Sequence, residues 1–214
     1  MNITLTGIDE RTRLGDIRLL QSRGAELGIL YTATPEGRNR YPSWNWITST
    51  VLQVPGRYAL HVCGSIARRE LEDGTLAPWL RHFERIQVNG AIKAPQCTFI
   101  CRLFQRHTII TQNRPGNELD VAFNHAILVD ASGGRGKSPN EWTRPDTTAP
   151  VGFAGGLGPH NLRSELPKIM AVATEPTWID MEGRLRDSHD WFSTLAAMSA
   201  IDQFEAAAAA KEKP

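Results

Sequence analysis

Phe-Ala-Gly-Gly-Leu-Gly-Pro-His-Asn-Leu, from Phe153 to Leu162, is the stretch whose reading decides the fold. It closes a short apolar run, Gly152–Gly156, that reads as a strand, and it opens a segment of helical spacing from Asn161 to Met170. Glycine between a strand and a helix lets backbone N–H groups approach an anion, and the helix N-terminus behind it adds a favourable dipole. Similar turns lie on either side. Asp-Ala-Ser-Gly-Gly-Arg-Gly-Lys-Ser-Pro (Asp130 to Pro139) follows the preceding apolar run, and Asp-Met-Glu-Gly-Arg (Asp180 to Arg184) ends the last one. Pro167 predicts that the Asn161–Met170 helix is short or bent.

Outward from this stretch, eight runs carry apolar residues at alternate positions, the period of a strand. They are Ile3–Gly7, Glu26–Thr32, Tyr58–Gly64, Arg85–Gly90, His107–Asn113, Ala126–Ala131, Gly152–Gly156 and Thr177–Gly183. Between them, Asp9–Gln21 places Leu14, Ile17 and Leu20 on one helical face, with Gly24 as its stop. Ser188–Glu205 starts at a capping serine and aligns Trp191, Leu195, Met198 and Ile201. The segment Arg114–Asn124 has too little periodicity for a helix, which predicts one degenerate crossover. Alternating strands and helices imply a parallel sheet with right-handed crossovers. Eight units in 214 residues fit an α/β single domain of the (β/α)8 TIM-barrel type, over residues 1–205, with 206–214 as a helix end and flexible tail. An open doubly wound sheet fits the alternation too, but no Gly-x-Gly-x-x-Gly follows the first strand, which argues against dinucleotide binding.

Composition narrows the function classes. Lys and Arg total 24 against 23 Asp and Glu, a net charge of +1. That balance points away from nucleic acid and from acidic membrane surfaces. No apolar run approaches the roughly 20 residues of a spanning helix. The opening MNITLTGIDERT lacks the layout of a secretory signal. Cys63, Cys97 and Cys101 are odd in number and form no Cys-x-x-Cys, the pattern of free thiols in a reducing compartment. The expectation is a cytoplasmic protein with a small-molecule partner.

Residues on a strand alternate between faces, so the polar positions sort by parity. Thr4 and Thr6 oppose Ile3 and Leu5; His61 and Cys63 oppose Leu60 and Val62; Gln87 and Asn89 oppose Ile86 and Val88. Asp130 shares a face with Leu128, and Asp180 and Glu182 oppose Ile179 and Met181. The apolar sets then cover the helix layer while the polar sets converge on the axis. Most of the polar residues sit near the C-terminal strand ends, where barrel enzymes carry their sites. Loops after the seventh and eighth strands are the recurring phosphate cradle of this fold.

On these residues the chain resembles the phosphoribosylanthranilate isomerase family, from Gly7 to Gly183. Asp130 with the Gly-Gly-x-Gly-Lys run ending near Trp142 looks like that family's sixth-strand end. Ala154-Gly155-Gly156-Leu157 with Asn161 is similar to its phosphate loop. Arg40-Tyr41 sits where the family keeps an arginine for the anthranilate carboxylate, and Asp180 with Gly183 matches its last strand and extra phosphate helix. The resemblance implies a phosphorylated sugar substrate, no cofactor, and phosphate held by Gly134, Gly155, Gly156 and Gly183. It implies substrate contacts from Arg40, with Thr6, His61, Gln87 and Asn89 on the same polar face.

Two departures stand out. The family opens with Ile-Cys-Gly, whose cysteine is the general base, and here the stretch is Leu5-Thr6-Gly7. A threonine hydroxyl is no unassisted base near neutral pH. Glu182 stands where a serine is expected, and a carboxylate in a phosphate cradle repels the dianion unless a cation such as Arg184 intervenes. The family reaction, an aminoaldose-to-aminoketose rearrangement, needs an acid to open the furanose and a base at C2. Asp130 is placed for the acid. The candidates for the base are Cys63 activated by His61, and the carboxylates Glu182 and Asp180, of which the carboxylates are favoured. The expected activity is an isomerase of shifted specificity working by acid–base chemistry without a metal; the alternative is a catalytically inactive phosphosugar-binding barrel. A metal-dependent hydrolase would recruit His61, Cys63, Asp130, Asp180 and Glu182, but no tight ligand spacing supports it.

Overall fold

A computed structural model describes residues 1–211 apart from 36, 116 and 131–135, and only the backbone of 210 and 211. Eight parallel strands, β1 (Asn2–Thr6), β2 (Glu26–Tyr31), β3 (Tyr58–Val62), β4 (Arg85–Val88), β5 (Thr108–Gln112), β6 (His125–Asp130), β7 (Val151–Ala154) and β8 (Thr177–Met181), pair in sequence order. β8 closes on β1 through Asn2 opposite Trp178 and Leu5 opposite Met181, so the sheet is a closed barrel rather than an open one. The architecture is a single-domain (β/α)8 barrel.

The alternation read from the sequence sorts the two faces. Ile3, Leu5, Leu27, Ile29, Leu60, Val62, Ile86, Val88, Phe153, Ile179 and Met181 belong to one continuous apolar core with the surrounding helices. A smaller set, Ile110, Ala126, Leu128 and Trp178, packs separately inside the barrel. The inward-facing Gly28 has a steric reason: a Cβ there would collide with the Thr6 hydroxyl across the β1–β2 pair.

Helices α1 (Leu14–Ser22), α2 (Trp44–Gln53), α3 (Ser65–Glu72), α4 (Ala77–Leu80), α5 (Ala94–Leu103), α6 (Leu162–Val172) and α7 (Thr194–Lys211) cover the barrel. Two differ from the sequence expectation. α1 starts after Arg13 rather than at Asp9, because the Asp9 carboxylate accepts the Arg11 amide and the Thr12 hydroxyl, a local turn that competes with helix. α7 starts at Thr194 rather than Ser188. Asp187 accepts the His189 and Trp191 amides, and Asp190 adopts a left-handed φ of 64°, so this segment is a tight loop. The buried face of α7 is Ala197, Ala200 and Ile201; Leu195 is exposed, and Trp191 lies outside the helix under the Arg11 guanidinium. α6 runs on through Pro167.

The expected degenerate crossover between β5 and β6 has no helix among its described residues, and neither has the one between β6 and β7. Other contacts fill that wall. Trp142 packs edge-on against Phe153 and donates its indole N–H to Glu165 at 2.8 Å. Asp120 accepts the Thr147 hydroxyl and the Thr148 and Ala149 amides, tying the two helix-free connections together.

Candidate functional site

At the C-terminal mouth, a cavity of ≈ 280 Å³ is lined by Thr6, Arg40, His61, Gln87, Asn89, Asp130, Gly155, Gly156, Asp180, Glu182 and Gly183 among others. Residues from seven separated stretches of sequence thus meet in one place. Cys63 lies at the same mouth but outside this lining, and Gly134 lies outside the described residues.

A hydrogen-bonded chain crosses the floor of the cavity. Gln87 Nε2 faces His61 Nδ1 at 3.2 Å, which makes Nδ1 the acceptor and puts the imidazole proton on Nε2. That Nε2 faces Thr6 Oγ1 at 3.5 Å, and the Thr6 hydroxyl donates to Asp180 Oδ1 at 2.6 Å. Burial holds the His61 pKa down at about 3, so the ring is neutral throughout the physiological range. Burial also raises the Asp180 carboxyl to about 7, with the Thr6 hydrogen bond and Arg85 pulling the other way and the Glu26 and Asp130 charges reinforcing the rise. Asp180 is therefore poised to take or give a proton near neutral pH.

The pairing of Cys63 with a cationic His61 does not form. The imidazole is neutral and turned to Thr6 and Gln87, while the Cys63 thiol donates to the backbone carbonyl of His61 at 3.4 Å and receives Asn89 Nδ2 at 3.1 Å. Burial pushes that thiol up to about 11. Asn89, Tyr41 and the Arg38 charge pull the other way without offsetting burial, so the thiol stays protonated near neutral pH.

Arg40 also differs from the expectation. Its Nε and Nη2 grip both oxygens of Asp190 at 2.9 and 2.7 Å, and its Nη1 binds Glu182 at 2.9 Å. The guanidinium is thus held by the protein's own carboxylates. The same contacts show which cation meets Glu182: it is Arg40, backed by Arg186 at 3.9 Å, and not Arg184. Arg186 is buried and donates to the carbonyls of Gly7 and Asp190. Burial still raises the Glu182 carboxyl above its usual range, against Arg40 and Arg186. Asp190 and Arg186 were missed in the sequence because a polar loop before a helix carries no strand parity.

On the β7 side, Gly155 and Gly156 have φ of 121° and 65°, a conformation side chains rarely adopt. A Cβ on Gly156 would also strike the backbone of Lys137 and Ser138, so this loop packs directly against the one after β6. Asn161 accepts the Gly158 amide and donates to Ser138 and to the Gly156 carbonyl, which fixes the turn. Among the described residues, no three His, Cys, Asp or Glu side chains group as metal ligands would, and no helix is long and apolar enough to cross a membrane.

No protein-family model and no curated protein matches the chain. Solved structures do. Phosphoribosylanthranilate isomerase from Thermotoga maritima superposes with a TM-score of 0.64 at 17% identity, covering 96% of this chain and 98% of that one. The isomerase from Thermus thermophilus gives 0.64 at 18%, covering 96% and 99%. 3-Hexulose-6-phosphate synthase from Salmonella typhimurium gives 0.59 at 12%, covering 97% and 100%. At these identities the likeness establishes the fold over essentially the whole chain.

Proposed function

We propose that this protein is a cytoplasmic isomerase, similar to phosphoribosylanthranilate isomerase, that rearranges a phosphorylated sugar derivative by acid–base chemistry without a metal. The observation that carries the reading is Asp180: a carboxyl on the barrel axis with a pKa of about 7, in one cavity with Asp130 and the Gly155–Gly156 loop. Two carboxyl groups in different environments at one site are a recurring way to supply an acid and a base together. Two of the structural neighbours, phosphoribosylanthranilate isomerase and 3-hexulose-6-phosphate synthase, are named for phosphorylated sugars.

In this reading the phosphate rests against the amides of Gly155, Gly156 and Gly183. Asp130 protonates the ring oxygen as the furanose opens. Asp180, ionised, removes the C2 proton, and the Thr6 hydroxyl, itself oriented by neutral His61, holds the carboxylate in place. Thr6 thereby serves in the position of the family's cysteine without being the base. The phosphate avoids Glu182 because that carboxylate is engaged by Arg40.

The test is turnover of phosphoribosylanthranilate and of other aminoaldose phosphates by the wild type and two variants. Asp180→Asn is expected to lose about 10²- to 10⁴-fold in kcat, the usual contribution of one positioned base. Wild-type activity should rise with pH through about 7 as Asp180 ionises. Thr6→Cys should raise activity on phosphoribosylanthranilate by restoring the thiol. Unchanged turnover in Asp180→Asn rules out Asp180 as the base. A second reading, a phosphosugar-binding barrel without turnover, is favoured by the capture of Arg40 by Asp190; tight binding with no product from any aminoaldose phosphate would establish it.

A further inference from the structure

We infer that Gln87 is a positioning residue: by fixing which nitrogen of His61 carries the proton, it sets the direction of a hydrogen-bond chain that runs through Thr6 into Asp180. Its consequence for catalysis rests on the reading of Asp180 as the base. As a property of the folded protein it needs no substrate. The chain begins at Cys63, a thiol with no part in the proton transfers above.

Each link is decided by the one before it. The Cys63 thiol donates to the His61 carbonyl at 3.4 Å, which leaves the sulfur as an acceptor, and Asn89 Nδ2 meets it at 3.1 Å. With its amino group turned to sulfur, Asn89 presents Oδ1 to Gln87, whose Nε2 donates to it at 2.8 Å. The same Nε2 lies 3.2 Å from His61 Nδ1, and an amide nitrogen carries two protons, one for each acceptor. Gln87 is buried, and a buried carboxamide with both protons engaged has one orientation. The imidazole proton therefore sits on Nε2, facing Thr6 Oγ1, and the Thr6 proton is left for Asp180 Oδ1 at 2.6 Å. In the opposite tautomer Nε2 would compete as an acceptor for that proton, and the Asp180 carboxylate would lose the hydroxyl that stabilises its charge.

The charged groups around Asp180 come from other strands. Arg85 of β4 favours its ionised form, while Glu26 of β2, Asp130 of β6 and Glu182, just past the end of β8, oppose it. Glu26 and Arg85 also act on His61. All four stay in place when Gln87 or Asn89 is changed.

Nitrogen NMR of the histidine rings at pH 8 reads the tautomer directly, because protonated and bare ring nitrogens resonate far apart. The wild type should carry its His61 proton on Nε2. Gln87→Glu, which offers Nδ1 an acceptor in place of a donor, should move that proton to Nδ1. Asn89→Asp brings a charge to the same polar face, still accepts from Gln87, and should leave the proton on Nε2. The Asp180 carboxyl, followed by carbon NMR, should titrate about one pH unit higher in Gln87→Glu than in Asn89→Asp, the effect of one charge-assisted hydrogen bond. A wild-type proton on Nδ1, an Nε2 proton that survives in Gln87→Glu, or equal Asp180 midpoints in the two variants overturns the inference. Should Gln87→Glu fail to fold, Gln87→Met removes the donor without adding charge. Its His61 ring nitrogens should then shift toward each other as two tautomers exchange, and unchanged shifts overturn the inference. These signals are read without substrate, so a lack of turnover on every aminoaldose phosphate would remove the isomerase reading and leave the Gln87 assignment standing.

Discussion

Two of the barrel's buried acidic groups, Glu26 and Asp180, lie toward opposite ends of its axis and are built differently. At the N-terminal end, Glu26 is almost wholly buried, with both carboxylate oxygens 2.9 Å from Arg85 Nε. Thr4 donates to it at 3.1 Å, and the Arg85 guanidinium lies 4.5 Å from the Trp178 ring centroid. At the mouth, Asp180 is buried too, but its direct donor is a single neutral hydroxyl, that of Thr6. A charge that is paired and hydrogen-bonded belongs to the architecture; a charge that is buried and left unneutralised is stored reactivity. The same strands carry both, because β1 supplies Thr4 to one centre and Thr6 to the other.

The comparison breaks most visibly at the floor. Arg85→Met should leave Glu26 buried without its cation and cost about 3–5 kcal/mol, whereas Glu26→Leu combined with Arg85→Met should recover most of that loss. Thermal or denaturant unfolding of the single and double variants measures both. Equal losses in the two would show that packing, not charge compensation, matters there.

At the mouth the sign should reverse. Asp180 has its pKa raised from 3.8 to about 7 on folding, so the folded protein binds its proton more tightly than the unfolded chain. Stability is then fully present below the unfolded value and declines as pH rises toward 7. Asp180→Asn, which keeps an acceptor for Thr6 and cannot ionise, should be more stable than the wild type by about 2–4 kcal/mol at pH 8. The difference should vanish as pH falls to 4. Denaturation curves at the two pH values give the answer, and a variant less stable at pH 8 would refute the assignment.

The smallest effect belongs to the rim. Arg40→Ala removes a half-exposed grip on Asp190 and Glu182 and should cost about 1 kcal/mol or less, with part of that cost disappearing at high salt. A loss as large as that of Arg85→Met would place Arg40 in the structural class rather than at the mouth.

The sequence determined the eight strands through period, whereas their closure into a barrel rather than an open sheet was decided by the pairing of β8 with β1. Each of the eight predicted strands overlaps its observed counterpart, because an apolar residue at every second position can bury only one face of a sheet, and eight such segments joined by crossovers have few ways to cover that face. Parity also placed Thr6, His61, Gln87, Asn89, Asp130 and Asp180 on one cavity, since side-chain direction along a strand is a local property. The helix starts at Leu14 and Thr194 were not legible in this way, because Asp9 and Asp187 capture nearby amides and thereby delay each helix. What each polar group does was decided only by tertiary structure. Arg40 and Asp190 are 150 positions apart, as are no two residues that periodicity can relate, yet their ion pair determines that Arg40 faces the protein. His61 and Cys63 share a strand face but not a hydrogen bond between side chains, because the ring is claimed by Thr6 of β1 and Gln87 of β4. The proton affinity of Asp180 follows from desolvation by the closed barrel around it, and burial is a property of the folded whole that no local pattern encodes.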